Sequence, residues 1–169
     1  LAHFLLHNYE QALIDYLQAA EAGYSNSWLF ARLGDYYLEL NQPDESLKST
    51  KTAIQKDPKD WSSLYISALA NKIKGEESLF NSQIQQAIQQ AERDARKPSW
   101  NDRYALSLAL FYLVSGDFEI SIKKYKAVLD NDPPAFLIQE ALIEGTQIIA
   151  RILPNINGLD QITDLLNQA

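Results

Sequence analysis

The chain has 169 residues, of which 22 are acidic, 15 basic and 2 histidine, for a formal net charge of −7, and it has no cysteine and no methionine. A chain of this size can bury a sizeable core. The missing cysteines exclude disulfides, thiolate zinc sites, iron–sulfur clusters and cysteine nucleophiles, and the negative balance argues against nucleic acid, whose phosphates need a clustered positive field.

The apolar pattern is helical nearly throughout. Ala12, Leu13, Tyr16, Leu17 and Ala20 recur at i, i+3 and i+4, a stripe on one helix face. No stretch alternates apolar and polar residues between hairpin turns, as strands would. The stripes stop at Gly23, Asn41-Gln42-Pro43, Asp57-Pro58, Gly75, Pro98, Gly116, Asp132-Pro133-Pro134, Pro154 and Asn157-Gly158. These breaks predict helices over residues 1–6, 9–22, 27–40, 43–56, 60–74, 77–96, 101–115, 118–130, 135–153 and 158–168. Asp44, Asp60, Asp117 and Asp160 stand where the next helix is capped or begins. No linker or low-complexity tract separates them, so a single all-α domain, 1–169, is expected. No apolar run approaches the roughly 18 residues of a membrane span. Leu1 to Leu6 lack the basic flank of a signal peptide.

A 34-residue period underlies the helices. In a frame starting at Ser27, Leu33, Gly34, Tyr37, Asn41, Ala53 and Pro58 occupy positions 7, 8, 11, 15, 27 and 32. The same frame started at Asp102 is filled by Leu108, Ala109, Tyr112, Gly116, Ser121, Tyr125, Val128 and Pro133. Slid back by one period, it places Ala12, Tyr16 and Ala19 at positions 20, 24 and 27. Small side chains recur where two helices must approach closely: Gly34, Ser46, Ala53, Ala87, Ala109 and Ser121. Aromatic residues then bury large areas beside them, and proline ends the second helix of the unit. The pattern resembles the tetratricopeptide repeat (TPR), a helix–turn–helix unit. The resemblance covers about residues 1–134 and implies a right-handed α-α superhelix. Its units are a partial repeat over about 1–26, then 27–60, 61–101 and 102–134, with capping helices over 135–169.

The third unit departs from the period. Its frame begins near Trp61 and the next at Asp102, a spacing of 41, with Asn71 and Phe80 off the pattern at positions 11 and 20. Seven extra residues make about two helical turns, so the second helix is expected to extend about 10 Å further. Leu1 falls midway along the first helix of a repeat, which predicts further chain upstream. Residues 135–153 and 158–168 do not follow the frame and fit the cap that a solenoid needs over its last apolar face.

No phosphate-binding glycine loop, His-Glu-x-x-His pattern, nucleophile elbow or calcium loop is present. His3 and His7 have metal-ligand spacing, but no third ligand is defined and no metal or cofactor is expected. Acidic pairs such as Asp44-Glu45 open helices, where negative charge complements the helix dipole. An enzyme is therefore not expected.

In TPR proteins the first helix of each repeat lines the concave face, mostly through positions 2, 5, 9 and 12. The resemblance carries these onto Trp28, Ala31, Asp35 and Leu38, then Ser62, Tyr65, Leu69 and Lys72, then Arg103, Leu106, Leu110 and Leu113. Many members clamp a C-terminal carboxylate with Lys, Asn and Arg on this face. Here those positions hold Ala31, Asp35, Leu69 and Ser107, so that clamp is not expected. What remains is a largely apolar groove that includes Trp28, Asp35, Leu38, Tyr65, Leu69, Lys72, Arg103, Leu106 and Leu110, suited to a peptide or protein segment. The competing expectation is a groove filled by the chain's own residues 135–168.

Charge is uneven. Residues 1–47 carry seven acids and one base, Arg32, while residues 48–75 carry six lysines against Asp57 and Asp60. The expected function is a non-catalytic interaction scaffold with a protein or peptide partner, without nucleic acid or membrane. The alternative is a self-associating module, a homo-oligomer through its end helices.

Overall fold

The computed structural model describes the backbone of residues 2–99 and 101–169, and the side chains of 10–99, 101–143 and 145–169. Among these residues every regular element is helical. In order they are α1 (Ala2–Glu21), α2 (Ser27–Glu39), α3 (Pro43–Lys56), α4 (Trp61–Ile73), α5 (Glu77–Asp94), α6 (Asp102–Ser115), α7 (Phe118–Leu129), α8 (Ala135–Glu140), a π-helical segment (Ala141–Gln147), α9 (Ile148–Ile152) and α10 (Leu159–Asn167). Two compact units are present, one ending at Ala87 and the other running from Ile88 to Ala169.

The helix starts follow from their caps. Asn26 accepts a hydrogen bond from the Leu29 amide, Asp60 from the Ser62 amide, and Asn101 from the Tyr104 amide. Each satisfies an amide that the first turn leaves without an intrahelical partner. Asp117 stands at the cap position of α7 but instead accepts from the Ser115 hydroxyl. Asp44 and Asp160 lie in first turns.

In the first unit α2 packs against α1, α3 and α4. The α2–α3 hairpin closes on Gly34. A Cβ there would stand 2.6 Å from Thr50 Cγ2 and 3.4 Å from the Ser46 carbonyl oxygen. Ser46, Thr50 and Ala53 are fully buried on the facing side of α3. The small side chains expected from the repeat therefore set how closely these two helices approach.

In the second unit α6 and α7 form a similar hairpin. Ala109 and Ser121 are fully buried, and the Ser121 hydroxyl donates to the Ala109 carbonyl at 2.8 Å. The serine fills a small site and satisfies its own hydroxyl, which burial otherwise penalises. The π-helical segment packs on α6, and α10 packs on that segment and on α7. Gly158 starts α10 with φ +85°, and a Cβ there would overlap the Phe118 ring. Gly158→Ala is therefore expected to destabilise the second unit by about 2–3 kcal/mol, combining left-handed backbone cost with overpacking. Thermal unfolding followed by circular dichroism checks it.

Three boundaries differ from those expected. The sequence predicts separate helices over 1–6 and 9–22, whereas α1 is continuous. Asn8 is only a mediocre helix former, and neither Gly nor Pro interrupts the stretch. The helix expected over 77–96 ends at Asp94, making α5 four residues longer than α3 and six longer than α7. At 1.5 Å per residue the extension is about 6 Å against α3 and about 9 Å against α7; the rest of the insertion forms the turn toward Pro98. The helix expected over 135–153 contains the π-helical segment. There the buried Thr146 hydroxyl donates to the Leu142 carbonyl, and Gly145 lies close to Leu110 and the Tyr125 hydroxyl.

Candidate interaction surface

The residues expected to line a groove divide into two sets. Leu38, Leu69, Leu106 and Leu110 are buried, as are Ala31 and Leu113, with Leu69 at 2% and Leu110 at 8% exposure. Trp28 is 58% exposed. Asp35, Tyr65 and Lys72 are half-buried, and Arg103 is exposed. Residues carried over from repeat positions thus include core leucines whose side chains are not presented to solvent.

In the first unit, α2 positions the accessible set. Trp28 contacts Tyr16 of α1 with ring centroids 5.6 Å apart, and Tyr16 meets Tyr36 at 5.3 Å. Trp28 and Tyr36 lie eight residues apart on α2, so Tyr16 holds the exposed indole against a fixed aromatic wall. Burial, with Tyr16 beside it, pushes the Tyr36 hydroxyl up to about 12. Arg32 Nη1 lies 3.2 Å from Asp35 Oδ2. Desolvation raises the Asp35 carboxyl above its ordinary value of 3.8, while the Arg32 charge opposes the shift. On α4, Lys72 pairs with Glu77 at 2.5 Å and sits over the Phe80 ring.

The sign of the Asp35 shift gives a pH prediction. A carboxyl raised in the folded state favours folding most below 3.8. That contribution is lost as pH rises through the folded value. Asp35→Asn should therefore gain melting temperature relative to the wild type as pH rises from about 3.5 to about 7. A constant difference across that range would contradict the assignment.

In the second unit the π-helical segment packs on α6. Arg103 Nη1 pairs with Glu140 Oε1 at 3.0 Å, and Gly145 packs near the Leu110 methyl groups. Burial also raises Tyr125, and burial together with the Glu92 carboxylate raises Tyr112, which donates to Glu92 at 2.5 Å.

Among the described residues no group of three His, Asp or Glu side chains gathers to hold a metal. The His3 and His7 side chains lie outside the described residues. No described helix is long and apolar enough to cross a membrane.

The fold is TPR-like: all-α helix hairpins closed by small residues at the repeat positions. The chain is similar to two crystal structures of MamA. One is 17% identical, covering 96% of this chain and 93% of that one, with a TM-score of 0.48. The other is 18% identical, covering 96% and 79%, with a TM-score of 0.46. It is also similar to the C-terminal part of a TPR repeat-containing protein from Cytophaga hutchinsonii, at 17% identity, 99% and 77% coverage and a TM-score of 0.44. No family model and no curated protein matches the sequence.

Proposed function

We propose that the chain is a non-catalytic protein-interaction scaffold whose first unit engages a protein or peptide segment through the accessible side of α2 and α4. The carrying observation is Trp28, an amphipathic side chain left 58% exposed yet braced against Tyr16. A rigid aromatic presented this way buries much area at little entropic cost, which favours tryptophan as an interface anchor. Asp35 and Lys72 are half-buried charged groups of α2 and α4, Tyr65 is half-buried with its hydroxyl turned away from solvent, and Arg103 is the corresponding accessible residue of the second unit. Leu38, Leu69, Leu106 and Leu110 are buried and belong to the core of their units.

Trp28→Ala is expected to weaken partner capture from the native source by about tenfold or more. Lys48→Ala, at a highly exposed position on α3, should leave capture unchanged. Both variants are first checked for wild-type helicity. Equal capture by wild type, Trp28→Ala and Lys48→Ala would contradict the proposal.

A further inference from the structure

Two exposed surfaces outside the Trp28 face are complementary. The outer side of α1 carries Glu10, Ile14, Leu17 and Glu21 at i, i+4, i+7 and i+11, which places them on one face. Ile14 and Leu17 are 47% and 37% exposed, and both glutamates are exposed. This is an apolar ridge with a carboxylate at each end, on a helix that has no lysine or arginine.

The second unit has a groove of about 330 Å³ whose walls include Ala95, Ala105, Leu108, Ala127 and Val128, with Lys124 and Asp102 also lining it. Ala127 and Lys124 come from α7, which also exposes Ile120 and the bases Lys123 and Lys126. Lys124 thus lines the groove, and Lys123 and Lys126 are exposed on the same helix. The α3 helix is also lysine-rich but has no large exposed apolar side chain, so it offers charge without a seat.

We propose that the acidic apolar ridge of α1 in one copy docks on the basic, groove-bearing face of α7 in a second copy. Ile14 and Leu17 enter the alanine-lined groove, and Glu10 and Glu21 meet the α7 lysines. The two surfaces are different, so the contact is heterologous and propagates head to tail instead of closing a symmetric dimer. One helix-on-helix contact falls short of the roughly 800 Å² per partner of a standard interface, so the association is weak and concentration-dependent. Its charge component weakens with salt. This contact is independent of the Trp28 surface, so either can fail without the other.

Sedimentation velocity over a concentration series tests it. The wild type should associate at low ionic strength and dissociate at about 0.5 M salt, where screening lengths fall to a few ångströms. Glu10→Lys with Glu21→Lys, and separately Lys124→Glu with Ala127→Glu, should each weaken association at least about tenfold. Because the Lys124 ammonium lies over the Tyr112 ring, Ala127→Glu alone serves as a second groove variant that leaves that contact intact. Each variant keeps one intact surface, so an equimolar mixture of a ridge variant and a groove variant should associate where neither variant does alone. A wild type that is monomeric at every concentration overturns the proposal. So does a correctly folded variant that associates like the wild type, or a mixture that stays monomeric.

Discussion

Gly34→Ala is expected to lower stability by about 1–2 kcal/mol, although alanine is the better helix former by about 1 kcal/mol. The new methyl would stand 2.6 Å from Thr50 Cγ2. A flexible side chain would swing aside. Thr50 is β-branched and fully buried, and its hydroxyl donates to the Ser46 carbonyl at 2.9 Å, which fixes χ1. The hairpin must therefore open or lose that hydrogen bond. Thr50→Ser keeps the hydroxyl and removes Cγ2. In that background Gly34→Ala should become neutral or stabilising, a coupling of at least about 1 kcal/mol between the two sites. Urea unfolding of the four proteins measures it. An equal effect of Gly34→Ala in both backgrounds would place the cost elsewhere.

Leu69→Asp and Leu110→Asp should unfold or severely destabilise the protein, by at least about 3 kcal/mol each. Both leucines are buried, so each substitution removes core contacts and leaves a carboxylate without water. Arg103→Ala should cost less than about 1 kcal/mol, because its pair with Glu140 is partly exposed. A Leu69→Asp or Leu110→Asp variant with wild-type melting temperature would return that leucine to the surface, where the repeat frame alone had put it.

The repeat frame made the hairpins legible because close approach leaves a mark at single positions. Gly34, Ser46, Ala53, Ala109 and Ser121 are small where a larger residue would hold the paired backbones apart, and each is buried as the spacing implied. Caps were legible for the same local reason at Asp60, whose carboxylate reaches the Ser62 amide. The binding face was less legible. Position in a repeat tells which side of a helix a residue occupies, but not what else comes to lie on that side. Leu110 and Arg103 meet residues 135–152, which lie outside the repeat pattern and carry no periodic signal of contact with α6. The π-helical stretch was missed too: Gly145 and Thr146 within Ala141–Gln147 are poor helix formers, but an isolated glycine does not by itself separate a π-turn from a tolerated α-helical position. Its register depends on packing near Leu110 and Tyr125, which no local pattern encodes. The ridge on α1 was not readable: the stripe grouped Leu17 with Tyr16 and left out Ile14, whereas Leu17 and Ile14 are exposed and Tyr16 packs against α2.

The most direct test of the scaffold reading places a photo-crosslinking benzoylphenylalanine at position 28 and, in a control, at position 48. Both proteins are irradiated in extract of the native source, and adducts are identified by mass spectrometry. The account predicts a defined polypeptide joined at position 28 and missing from position 48. The same adducts at both positions would contradict the assignment of the α2 face as the interaction surface.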